Sequence, residues 1–286
     1  MKSLKNQIEK LLFVLLVIFL INSCSTKVEN NYLIKHGFKG KVKSFSENSY
    51  EANEKFGEIK KGNKGSEYFW GSDFKKIFNE KGNLIQFLNY NKEGGLIRKA
   101  ISKYDKKGNK ISLESYDFNG SLTSKTIYKN DEKGLNIGGV EYNSNGEVYY
   151  YYEKNYDDKI NLIGEDVFYP DGEFISRHTL EYDNYGNLIN YTSNNGKNTN
   201  LSVYDDKGNR IKYTTSNSDN QFIEESNFKY DENGRQIAII IYDFEGMKMK
   251  EIVHKYKNDE KGNWIQKIIY KDEVPTFIIE RTYDYY

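Results

Sequence analysis

Side chains able to do chemistry are few and scattered in this chain. Its three histidines, His36, His178 and His254, stand far apart and lack neighbouring ligands at the spacing of a metal site. His178 follows Arg177 inside an extended run and reads as an exposed strand residue. No serine occupies a G-x-S-x-G elbow, so no sharp turn presents a nucleophile. The acidic turn Asp205-Asp206-Lys207-Gly208-Asn209 resembles a calcium loop but lacks the alternating acids and the closing glutamate. Turn chemistry accounts for it without a metal. Glu224 and Glu225 are adjacent, so on one strand they point to opposite faces and cannot flank one glycosidic bond. Glycine recurs at a turn period and not as a phosphate-cradling loop before a helix. These absences predict a protein that is not an enzyme and that carries no cofactor and no metal.

The balance of 42 basic and 42 acidic residues gives a net charge of zero, which argues against nucleic acid as a partner. The aromatic surplus has more functional reach: 26 tyrosines and 16 phenylalanines stand in a chain that is only 37% hydrophobic. Such a surplus argues against disorder, and a tyrosine ring can pack while its hydroxyl stays wet. In the run Tyr149 to Tyr152, Tyr150 and Tyr152 share one strand face, Tyr149 and Tyr151 the other. Tyr150, Tyr152 and Tyr182 form the candidate binding face, a stacking platform for sugar rings or a partner protein. The plainer account is cross-strand tyrosine pairs that stabilise a half-exposed sheet.

The element that must position these side chains is a recurring turn and strand. Tyr104-Asp105-Lys106-Lys107-Gly108-Asn109-Lys110-Ile111 is its clearest copy, and a tyrosine precedes a glycine by four positions again at Tyr116, Tyr142, Tyr182, Tyr204, Tyr230 and Tyr242. Turn positions near Gly82, Gly94, Gly108, Gly120, Gly134, Gly146, Ile160, Gly172 and onward, through Gly196 and Asn220 to Gly262 and Val274, are spaced mostly by 12 and 14 residues in alternation. The double repeat is thus 26 residues long. Aspartate and asparagine side chains bond backbone two residues on, and glycine enters the left-handed region without a Cβ clash. Between turns lie Tyr-, Ile-, Thr- and Val-rich runs with apolar residues at alternate positions. In Phe174 to Tyr182, for example, Phe174, Leu180 and Tyr182 are expected on one face. One strand between successive tight turns allows only an antiparallel meander, because parallel pairing needs a long crossover. The fold class is therefore all-β, an antiparallel meander of 12/14-residue repeats over residues 78–286. It forms a long, twisted or curled sheet, either single and concave or folded into two packed layers, the first being preferred.

Residues 1–23 read as a secretory leader, with Lys2, Lys5 and Lys10 before the unbroken apolar run Leu11 to Ile21. That run is shorter than the roughly 20 residues a spanning helix needs. The boundary Ile21-Asn22-Ser23-Cys24 resembles a bacterial lipobox, which implies lipidation of Cys24 and an outer-membrane anchor facing periplasm or exterior. Cys24 is the single cysteine, so no intramolecular disulfide can form. Residues 24–31 then form a tether. Residues 32–77 hold capping strands and a loop: a first strand over Gly37 to Phe45, a helical turn or irregular connection over Tyr50 to Phe56, and a lysine- and glycine-rich loop over Lys60 to Gly65. Phe69-Trp70 is the most apolar point of this segment. These first strands are expected to cap the edge that the repeats would expose.

The array resembles the YD-repeat, or RHS-type repeat, proteins of bacterial surfaces and toxin delivery, on the pattern Y-D-x-x-G-N-x-I at Tyr104 to Ile111, Tyr182 to Ile189 and Tyr204 to Ile211. It is also similar to small repeat lipoproteins of Bacteroidota-like bacteria. Those open with a segment like Lys39 to Phe45 through Lys55 to Lys60 and close with one like Glu260 to Ile265 through Glu280 to Tyr283. MORN repeats are a structural analogue with stacked hairpins and glycine turns. The chain is too short for an RHS toxin-enclosing shell, so an encapsulating role does not transfer.

The expected function is a non-catalytic, lipid-anchored interaction module of the cell envelope, with a protein or an envelope glycan as partner. One alternative is a structural or immunity-type role beside a secretion or toxin system, implied by the RHS resemblance. A second is a glycan hydrolase with carboxylates brought together across strands.

Overall fold

The computed structural model describes residues 31–65, 73–193, 198–216 and 221–286. The leader, Cys24, most of the tether, Phe69-Trp70 and the turn positions Gly196 and Asn220 lie outside the described residues. Chain order begins with α1 (Tyr32–Lys35), β1 (Val42–Lys55), β2 (Glu58–Lys64), β3 (Asp73–Phe78), β4 (Leu84–Tyr90) and β5 (Leu96–Tyr104). The meander continues through β6 (Lys110–Asp117), β7 (Leu122–Asn130), β8 (Asn136–Asn143), β9 (Val148–Tyr156), β10 (Leu162–Phe168) and β11 (Phe174–Tyr182). It ends with β12 (Leu188–Ser193), β13 (Asn198–Tyr204), β14 (Arg210–Ser216), β15 (Phe222–Tyr230), β16 (Gln236–Tyr242), β17 (Lys248–Asn258), β18 (Trp264–Lys271) and β19 (Val274–Tyr285).

Each turn is built as its residue types dictate. Asp105 N–H donates to the Asn109 carbonyl at 2.9 Å, and Gly108 N–H returns to the Asp105 carbonyl at 3.1 Å. The Asp105 carboxylate accepts from Asn109 N–H at 2.8 Å, so the side chain closes the loop from inside. The third loop residue takes positive φ, +88° at Gly134, where a Cβ would also strike the amide of Asn109 in the preceding copy. Ile160 occupies the equivalent place with φ +68°, one of four non-glycine residues in that region among the described residues. The register slips by one residue beside almost every turn, and each slip is a bulge that strengthens the twist.

Twist accumulated over so many strands carries the sheet round onto itself. β1 pairs β19 on one edge, from Val42 opposite Tyr285 to Glu51 opposite Phe277, and β3 on the other, Ser44 opposite Ile77 to Glu47 opposite Phe74. β1 and β3 to β19 therefore form a closed ring of eighteen strands, while β2 pairs only the far half of β1. The sheet expected from the sequence is present, and it is a closed barrel. Two details of the opening segment differ from expectation. Tyr50 to Lys55 continues β1 instead of turning, and Glu58 to Lys64 is β2 instead of a loop. β1 pairs with both β19 and β3, the two edges that the repeats would otherwise expose. At about 4.8 Å per strand the ring is roughly 27 Å across before tilt widens it, more than side chains of a small barrel can fill.

Burial alternates strongly along the odd strands. His178, Leu180 and Tyr182 are half-buried between exposed Arg177, Thr179 and Glu181, and Tyr152, Lys154 and Tyr156 alternate with exposed Glu153 and Asn155. Register places the shielded set on the face of Phe45, where side chains converge, which is the lumen side. The outer face carries Lys103, Glu114, Lys125, Lys129, Glu153, Asp166 and Arg177 within the strands. Fully buried large side chains gather where the ring closes: Val42, Phe45, Phe78, Ile269 and Ile279. Against Phe45, Phe78 and Val42 packs Leu33 of α1, a single helical turn capped by Asn31, whose side chain accepts from Ile34 N–H at 3.0 Å.

Candidate binding cavity at the barrel closure

The candidate tyrosines fall on the lumen face, and the hydroxyls of Tyr150 and Tyr182 are already engaged. Tyr150 donates to Glu141 at 2.7 Å and Tyr182 to the Leu162 carbonyl at 2.9 Å. Burial, with nearby Glu141 and Glu165, pushes the Tyr150 and Tyr152 hydroxyls far above the usual tyrosine range. Tyr150 and Tyr152 are alternate residues on one face of β9, while Tyr182 is two strands away at the end of β11. Phe174 does not share the face of Leu180 and Tyr182. A register slip sets it opposite Phe168, which stacks at 5.0 Å on the outward Tyr151.

The histidines are separately employed. His178 Nδ1 meets the Tyr191 hydroxyl at 2.8 Å, and the His254 ring meets the Gln236 carbonyl at 3.2 Å. Burial and Lys267 hold His254 below its ordinary pKa. No group of three or more metal-ligating side chains occurs among the described residues. The acidic turns are saturated by their own loops. Asp205 accepts from Lys207 N–H, Asn209 N–H and the Asn209 amide at 3.0, 2.8 and 2.9 Å. Glu225 binds Lys212 at 2.6 Å, and the register sets Glu224 on the opposite face.

What the tertiary structure assembles instead is a cavity of about 410 Å³ between α1 and the closing strands. Tyr32 and His36 come from α1 and its cap, Lys76 from β3, Arg281 from β19, Trp264 from β18, and Arg235 from the turn before β16. Among the described residues no Asp or Glu lines it, whereas Lys76, Arg235 and Arg281 are cationic. Two of the three cations have carboxylate partners. Arg281 donates to Glu47 at 2.8 Å and stacks with its guanidinium 3.7 Å from the Trp264 ring centre. Arg235 donates from Nε to Asp231 at 2.8 Å, inside its own turn. Lys76 alone has none within 4.0 Å among the described residues. It donates to the neutral Tyr32 hydroxyl at 2.7 Å and stands 5.0 to 5.8 Å from the rings of Phe74, Tyr32, Phe45 and Phe87. The field of these cations registers on His36, held below its usual pKa by burial first and then by Lys76, Lys35 and Arg281.

The sequence reading did not single out Lys76, Arg281 or Trp264. One signal did mark two of them: Trp264 and Arg281 lie in the closing segment, Glu260 to Ile265 and Glu280 to Tyr283, as Lys39 to Phe45 lies in the opening one. Those segments meet only when the ring closes.

No family model matches this chain, and no curated protein does. Among solved structures, a porin-like protein from Bacteroides uniformis aligns over 85% of this chain and 96% of its own, at 12% identity and a TM-score of 0.45. A porin-like protein from Bacteroides vulgatus aligns over 85% and 98%, at 10% identity and a TM-score of 0.34. A chain of the TcdB2-TccC3-Cdc42 complex aligns with 82% of this chain at 13% identity and a TM-score of 0.28, and this chain spans 16% of it. At these scores no role passes from those proteins to this one.

Proposed function

We propose that this chain is a non-catalytic interaction module of the bacterial cell envelope, anchored at the outer membrane by a lipid on Cys24, with an envelope glycan or protein as its partner. The observation that carries the binding role is the cavity at the closure, which gathers aromatic rings and cations but neither a carboxylate pair nor a nucleophile with a base. The address rests on the leader and the lipobox-like boundary at Cys24.

The charges on the outer face support a barrel standing in water beside the membrane. Lysine or arginine at the midplane of a lipid-facing wall costs about 2–4 kcal/mol each. Cys24 and Asn31 lie seven positions apart, a reach of about 25 Å at full extension, so the rim bearing α1 and the cavity stays near the bilayer.

Fractionation tests the reading. The wild-type chain is expected in the outer-membrane fraction and Cys24→Ser in the soluble one. An unchanged distribution for Cys24→Ser would remove the anchor. Capture of no envelope glycan or protein by the wild-type chain would remove the module.

A further inference from the structure

We propose that the cavity between α1 and the barrel closure binds a carboxylate-bearing sugar ring, with the Lys76 ammonium as the partner of the carboxylate. This rests on the reading of the chain as an envelope binding module and adds to it the class of ligand and the residue that selects it.

Charge bookkeeping inside the cavity points to an anion. Glu47 and Asp231 answer Arg281 and Arg235 from outside the lining, which leaves one positive charge, on Lys76, without a carboxylate among the described residues. Among the described residues its one hydrogen bond is to the Tyr32 hydroxyl, a neutral acceptor. A half-buried cation answered only by ring faces and a hydroxyl gives up much of its hydration with partial return. A methionine would fill the same space without that cost, so the ammonium serves something other than packing. Lys76 also carries three N–H donors, two of which remain for an incoming carboxylate.

The remaining lining points to a ring. Tyr32, Phe38 and Tyr283, half-buried, line the cavity with aromatic rings over the fully buried Phe45, and Phe38, Phe45 and Tyr283 lie within 6.3 Å of one another, centre to centre. His36 and Asn233 add polar groups to the lining. Stacking faces, a few hydrogen-bonding groups and one unanswered cation are what a sugar acid requires, and about 410 Å³ lies within the usual range of a small-ligand site. Arg281 is held over Trp264 and bonded to Glu47, and so is fixed before any ligand arrives.

The test is calorimetric titration of the full-length acylated chain in detergent with glucuronate, galacturonate, glucose, N-acetylglucosamine, acetate and inorganic phosphate. The uronates are expected to bind roughly tenfold more tightly than glucose, the worth of one charge-assisted hydrogen bond. Lys76→Gln is expected to remove that preference while circular dichroism reports an intact barrel. Equal binding of glucose and glucuronate would overturn the role of the charge while leaving a glycan module standing. Acetate or phosphate binding as tightly as a uronate would reduce the site to a bare anion site and overturn the sugar. Silence from every probe would overturn the site, whereas the anchored-module reading is decided separately by fractionation. The comparison among probes on the wild-type chain holds even if Lys76→Gln fails to fold.

Discussion

The hydroxyl of Tyr156 donates to the main-chain carbonyl of Asn136 at 2.6 Å, twenty residues earlier on the neighbouring strand. Pairing of β8 with β9 starts at Gly138 opposite Glu153, so the Asn136 carbonyl lies beyond the ladder and the tyrosine supplies its missing donor. Tyr104, Tyr182, Tyr230 and Tyr256 repeat the bond to Leu84, Leu162, Arg210 and Gln236 at 2.8, 2.9, 2.8 and 3.0 Å. Tyr156→Phe and Tyr182→Phe are each expected to cost about 1 kcal/mol, because each leaves a shielded carbonyl unpaired. Urea denaturation checks the single changes, and the double variant should approach their sum, since the two bonds share no partner.

Glycine is demanded unequally by the turns. Gly134 combines φ +88° with an overlap between any Cβ and the Asn109 amide, whereas Gly120, at φ +83°, has open space around it. Gly120→Ala should cost about 1 kcal/mol for the left-handed backbone alone, and Gly134→Ala about 2 kcal/mol or more. Asn109→Ala should narrow the gap in a thermal melt, because it removes the overlap.

The aspartate turns make the barrel acid-labile. Asn109 N–H, and the Asn161, Asn187 and Asn209 side chains, are the leading reasons that Asp105, Asp157, Asp183 and Asp205 are held below the ordinary carboxylate range. A carboxylate whose folded pKa is depressed contributes stability above its unfolded value, near 4, and loses it as pH falls from there through the folded value. Melting temperature should therefore drop below about pH 4. The combined Asp157→Asn, Asp183→Asn and Asp205→Asn variant should show a flatter profile in the same window. An equally steep profile would place the acid sensitivity elsewhere.

His36 reports the field of the cavity. Burial and Lys76 are the first two reasons its pKa is lowered, so Lys76→Gln should raise it toward the ordinary histidine value. An imidazole proton titration by NMR measures this directly.

Closure by β19 is what removes the open edges. A chain ending at Lys271 would expose the edges of β1 and β18, and Phe45 and Ile269 would lose cover. Such a chain should self-associate on size-exclusion chromatography, since unpaired strand edges recruit one another.

The sequence by itself determined the local grammar of this protein. Asp-x-x-Gly-Asn turns such as Asp205 to Asn209 close through their own side chains, so their position and kind could be read without any distant residue. The 12/14 spacing then fixed an antiparallel meander, because nothing between two such turns is long enough for a crossover. Faces were legible up to each turn and lost beside it, as at Phe174, because a one-residue bulge inverts parity and leaves no mark in the residue pattern. Only the tertiary structure decided that the sheet closes: twist adds up over eighteen strands, and whether the sum brings β1 to β19 is no property of any one repeat. The cavity depends on that closure. Lys76 and Arg281 stand some two hundred positions apart in the chain, and they line one space because the ring has no free ends.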